Sequence, residues 1–203
     1  MTIKKFIGLG LLGGLIAVSP VFTACTTADE GTRVAIPPEP ANDPDYARVL
    51  ARWHKDASIF DRFQNRLSVH AVLFTEEMRQ AYLNRWVQIR GDSSAKIGMD
   101  VGGKLAVFVS VFTPEEEFLR LDDSSLWTVR LMYGEKQLAP FMIRRIYDKP
   151  LHAGFFEFVN NWTYEYLIVF DVSVTDSSDA VVLPSVVSAQ LMSSLASVEF
   201  QWK

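Results

Sequence analysis

Serine and acidic residues are plentiful in this chain, but cysteine and histidine, the usual nucleophile, base and metal ligands, are few. The chain holds one cysteine, Cys25, and three histidines, His54, His70 and His152. One thiol makes no intrachain disulfide, and it excludes a Cys₄ or Cys₂His₂ zinc centre. No HExxH pair occurs, and the histidines are too scattered to share a helix face. His54 follows Trp53 on an expected helix, His70 falls on the polar side of an expected strand, and His152 falls in a loop. All three read as surface residues. There is no G-x-S-x-G elbow, so a hydrolase would need the fold to carry one histidine to a serine–acid pair.

Three further motifs are near misses. Gly98, Gly103 and Lys104 have P-loop spacing, but Leu105 stands where a Ser or Thr must hold Mg²⁺. These glycines also precede a strand, whereas a phosphate loop opens a helix. Asp176-Ser-Ser-Asp179 lacks the spaced ligands of a calcium loop and reads as a turn. Asn161-Trp162-Thr163 is a formal glycosylation sequon. No cofactor or metal is implied.

Composition narrows the classes. The chain has 203 residues, 20 basic against 24 acidic, and 49% apolar. That suits one domain with a sizeable core plus appendages. The acidic balance argues against nucleic acid, whose binding rests on Lys and Arg neutralising phosphates.

The first residues must place Cys25. Lys4 and Lys5 precede an uncharged apolar run, Phe6 to Val18, then Ser19-Pro20 and small residues. Charged, then apolar, then small is the order of an export signal. A run of this length falls short of the roughly 20 residues of a spanning helix. Phe22-Thr23-Ala24-Cys25 resembles a bacterial lipobox, although Phe22 stands where that family usually has Leu. The resemblance covers residues 1–25. It implies diacylglycerol on the Cys25 sulfur, removal of residues 1–24 and acylation of the new N-terminus. Thr26 after the cysteine, where Asp tends to retain such proteins at the inner membrane, implies the outer membrane, periplasmic side. Loss of Lys4 and Lys5 leaves 18 basic against 24 acidic residues, a balance of −6.

Residues 25–42 carry Pro37, Pro38 and Pro40 without periodicity and read as a flexible tether. In an alternative reading Val34 to Ile36 adds an edge strand. Residues 43–203 then form one domain. Asp43-Pro44 opens a helix with Tyr46, Val49, Leu50 and Trp53 on one face, ending near Lys55. A strand over Leu67 to Leu73 precedes a helix capped by Thr75 and stopped near Gly91. Lys104 to Phe112 reads as a central strand and Thr113–Glu116 as a capping box. Strands over Leu126–Tyr133 and Gln137–Ile146 flank a Gly134-containing turn, with Pro140 marking a bulge or an edge. Trp162 to Val172 and Ala196 to Trp202 complete six or seven strands. The expected fold is mainly β: an antiparallel sandwich with two or three added α-helices, preceded by the signal helix and tether. The stretch Tyr164 to Ser173 is similar to the late, tyrosine-bearing strand of immunoglobulin-like and fibronectin type III domains.

Phe155, Phe156 and Phe158, in "GFFEFVNNW", are the candidate partner or ligand contacts. They read either as a core plug or as an exposed apolar rim. The expected function is a membrane-anchored lipoprotein acting as a non-catalytic binding or assembly module for an envelope protein or ligand. Carriage of a lipid or other apolar ligand, and envelope hydrolysis, are the alternatives.

Overall fold

A computed structural model describes residues 43–91, 101–102, 104–148, 152–173 and 183–203, all within one compact unit, Pro37–Lys203. Cys25, the signal-like run and the tether lie outside the described residues, as do Gly98, Gly103 and Asp176–Asp179. Among the described residues no helix is long and apolar enough to cross a membrane.

Helix α1 (Pro44–Trp53) starts where Asp43 Oδ1 accepts the Tyr46 N–H at 3.1 Å, satisfying one of the orphan donors of a first turn. It runs without a loop into β1 (His54–Asp61), which turns back as β2 (Gln64–Phe74). Helix α2 (Glu76–Arg90) is capped by Thr75 and stopped by Gly91 at φ +67°, a conformation that favours glycine. Strand β3 (Lys104–Phe112) follows, then a 3₁₀ turn at Glu116–Leu119 in place of the expected short helix. Strands β4 (Thr128–Tyr133), β5 (Lys136–Leu138), β6 (Met142–Ile146), β7 (Tyr164–Ser173), β8 (Val187–Met192) and β9 (Ser197–Trp202) complete the chain.

Among the described residues nine strands form two antiparallel sheets, ordered β1-β2-β3-β7-β6 and β5-β4-β8-β9. Side chains alternate along a strand, so each face of β3 has its own duty. Leu105, Val107, Val109 and Val111 join Leu67, Val69, Leu73, Ile168 and Phe170 against Leu131, Ala189, Leu191, Phe200 and Trp202 of the smaller sheet. Ala106 and Phe108 face the other way. With Val72, Phe74, Leu167 and Val169 they meet Tyr46, Met78, Tyr82 and Trp86 of the helices, and Phe155 and Phe156. The protein is therefore a β-sandwich with a helical layer on one outer face.

Pro140 divides the second strand of the expected hairpin in two. The pairs Tyr133↔Lys136 and Leu131↔Leu138 close on the two-residue loop Gly134-Glu135, with the positive φ on glycine. Two steps further the same register sets Val129 against Pro140, which has no N–H to donate. The ladder stops there, and β6 joins the larger sheet.

Candidate functional site

The strand register assembles one polar row across the outer face of the larger sheet. His70 of β2 pairs with Asp56 of β1 and with Ser110 of β3, and Ser110 pairs with Glu165 of β7. Directly opposed residues project on the same face. One step along, Val72, Phe108 and Leu167 are buried under the helical layer, so the row marks the edge of that apolar cover.

His54 joins the row from the start of β1. Its Nε2 lies 3.1 Å from His70 Nδ1. The two imidazoles are only 13° from parallel, with centroids 5.3 Å apart. The Phe158 ring stacks on both, 4.8 Å from His54 and 4.5 Å from His70. Two imidazoles joined through nitrogen share one proton, with one ring donating and the other accepting. Burial depresses the pKa of His54 and the repulsion of His70 adds to this; Asp56 acts the other way. Burial also depresses His70, again opposed by Asp56. The pair is neutral near pH 7, and double protonation would set two cations against each other under an aromatic lid.

Ser110 and Glu165 are fully buried. Ser110 Oγ donates to Glu165 Oε1 at 3.4 Å, and the Thr163 hydroxyl meets the same oxygen. Thr163 Oγ1 also accepts the Asn160 N–H at 3.0 Å, so the 160–163 turn closes over the carboxylate. Serine, histidine and acid are thus neighbours, but among the described residues no hydrogen bond joins His70 to Ser110. Ser110 also has no exposed surface. A hydrolytic nucleophile needs both the bond to its base and access to substrate, so the arrangement does not form a triad.

The expectation of three surface histidines is corrected. His152 is buried, with its Nδ1 3.5 Å from the Tyr82 hydroxyl, and burial depresses its pKa. His54 and His70 are half-buried partners. Their proximity is invisible in the sequence because no breaker separates α1 from β1, which starts directly after Trp53. Among the described residues no group of three or more His, Cys, Asp or Glu is placed to hold a metal ion.

Phe155 and Phe156 supply core and no exposed rim. Phe155 stacks on Tyr82 at 4.3 Å and Phe156 on Phe108 at 4.4 Å, both fully buried. Phe158 roofs the histidine pair. Aromatics that reach water lie outside this segment, on both sides of it in the chain. Trp162 is 76% and Tyr147 74% exposed. The Arg145 guanidinium lies 3.7 Å from the Tyr164 ring centroid and 5.0 Å from that of Tyr147. Stacked arginine with exposed tyrosine and tryptophan is the side-chain chemistry enriched at interface hot spots. A groove of about 410 Å³ opens where the chain crosses between sheets, lined by Leu121, Trp127, Val129, Pro140, Met142 and Ile143 among others.

No protein family, no curated protein and no solved structure matches this chain.

Proposed function

We propose that this chain is a lipoprotein of the bacterial envelope, held at the periplasmic side of the outer membrane through lipid on Cys25. Its β-sandwich serves as a non-catalytic binding or assembly module. The observation that carries the reading is the position of the only cysteine, directly after a charged–apolar–small leader. Several acyl chains anchor stably, because each buried CH₂ contributes about 0.8 kcal/mol. The likeness to immunoglobulin-type sandwiches rests on the sequence of β7 alone and carries no weight in this reading.

The partner contact is assigned to Arg145, Tyr147, Trp162 and Tyr164, in place of the phenylalanines of the core. The test is metabolic labelling with a radioactive fatty acid, followed by crosslinking and pull-down of the membrane-bound protein. Wild type takes up label and captures a partner; Cys25→Ser takes up none and leaves the membrane; Trp162→Ala stays anchored and loses the partner. Membrane retention of unlabelled Cys25→Ser would sink the anchor.

A second reading, carriage of a small apolar ligand, is favoured by the groove at the Pro140 crossing. Its volume lies within the range of ligand sites. Co-purified lipid that disappears in Val129→Trp, which fills the groove, would support it.

A further inference from the structure

We propose that the β1–β2 hairpin tip is a second membrane contact, whose partner is the lipid surface to which Cys25 ties the chain. This rests on the lipoprotein reading above. The tip reads Ile59-Phe60-Asp61-Arg62-Phe63. Asp61 pairs with Gln64, so Arg62 and Phe63 alone form the turn. Both have positive φ, 47° and 69°. Two-residue turns of this kind are normally built from Asn and Gly, and a bulky aromatic with positive φ is an outlier. Phe63 is nonetheless fully exposed, Phe60 is 65% exposed, and Ile59 lies at 36%. The fold gains no packing from the Phe63 ring, which it holds on a strained backbone, and covers only part of Phe60. Strain at an exposed turn points to function.

The shape and charge of the tip indicate what it meets. A two-residue turn is convex and presents no groove. Asp61 and Arg62 are adjacent and offset each other, and Arg66 is paired with Glu115. No strong field therefore directs the tip to a charged partner. Two aromatic rings flanking a mutually offset Asp61-Arg62 pair suit a bilayer interface, with the rings among the acyl chains and the zwitterionic pair at headgroup depth. Chain length permits the contact. Cys25 and Asp43 are 18 positions apart (43 − 25), a span of at most about 65 Å. Anchoring also keeps the tip at high local concentration near lipid, so a weak insertion suffices.

The test uses the anchored protein, purified from membranes, with Phe63→Cys carrying an environment-sensitive fluorophore. Acylated Cys25 offers no thiol, so one label per chain is expected. After reconstitution into phosphatidylethanolamine–phosphatidylglycerol vesicles, emission from the tip shifts to the blue and is quenched by brominated lipid. A label at Glu135→Cys, in the exposed Gly134-Glu135 turn, keeps the emission of water. One label per chain with tip emission like that of Glu135→Cys overturns the inference and leaves the anchor standing. It does so even where the tip crosslinks to an envelope protein. Two labels per chain mean that Cys25 is free, and both readings fall.

Discussion

His54 and His70 meet nitrogen to nitrogen at 3.1 Å beneath the ring of Phe158, although β1 pairs His54 with Val72 and not with His70. The contact is diagonal across the strands, within reach of such side chains. One proton fits between the rings and a second does not. The joint ties the first residue after α1 to the sheet and to the segment that covers it.

This pair makes stability fall in mild acid. Burial holds His54, His70 and His152 below the ordinary histidine value, and in the unfolded chain each titrates near about 6.5. Between the depressed folded values and about 6.5 the unfolded state binds more protons, so stability rises with pH across that window. It is fully present above the window and is lost as pH falls through it. Asp56 of β1 faces the pair and narrows the shift, Lys55 widens it for His54, and Asp148 narrows it for His152. Denaturant midpoints should drop from pH 7.5 to pH 5, and less so in His70→Gln. A flat wild-type profile, or equal slopes in both proteins, would count against the shared proton.

Phe156→Ala and Trp162→Ala should separate core from surface. Phe156 is fully buried against Phe108, Tyr82 and Phe74. Its truncation leaves a cavity and should cost about 3–5 kcal/mol in equilibrium unfolding. Trp162 stands mostly in water, and its truncation should change stability by less than about 0.5 kcal/mol. A large loss from Trp162→Ala would mean that its exposure is not that of the native state.

Much of the fold was legible in the residues. Asp43-Pro44, Thr75 and Gly91 mark helix ends by side-chain chemistry that needs no tertiary context. Strand β9 alternates Val198, Phe200 and Trp202 inward with polar residues outward, and one face of water explains it. Strand β1 is not legible in the sequence, for two physical reasons. It follows Trp53 with no breaker between helix and strand, and its turn is Arg62-Phe63, which lacks the usual glycine or asparagine. Strand β8, close behind Pro184, is likewise not legible. The histidine pair and the Ser110–Glu165 contact follow from register, which is set by sheet pairing over 16 and 55 residues of separation. No local pattern encodes it.

Arg85 should prove a buried structural cation. It is 1% exposed. Its Nε and Nη2 each lie 3.2 Å from the Gly154 carbonyl, and its Nη1 lies 3.4 Å from Asp43 Oδ2. The guanidinium also sits 5.2 Å from the Tyr46 ring. Asp43 thus caps α1 with one oxygen and meets Arg85 with the other. Arg85→Ala strands that carboxylate and opens a cavity, so it should cost about 3–5 kcal/mol. Asp43→Asn keeps the cap and removes the charge, while Asp43→Ala removes both and should cost about 1 kcal/mol more than Asn. Denaturation of the three variants checks the ordering; equal losses for Asn and Ala would remove the cap from the account.

Replacing the hairpin turn by Asn-Gly should stabilise the protein. Arg62 and Phe63 hold φ values of 47° and 69°, which place each in a sparsely populated backbone region at about 1–3 kcal/mol. Asparagine and glycine occupy that turn readily. Neither native side chain supplies packing to offset the strain, since Phe63 is fully exposed. The double variant Arg62→Asn/Phe63→Gly should therefore gain about 1–3 kcal/mol in equilibrium unfolding, even though glycine loses more chain entropy than phenylalanine. The same variant should lose the blue-shifted tip signal in vesicles when the probe is moved to Phe60→Cys. Greater stability with lost membrane contact is the trade expected where a strained turn is kept for function. A destabilised double variant would instead mean that the exposed rings stiffen the hairpin, and strain would no longer argue for a membrane role.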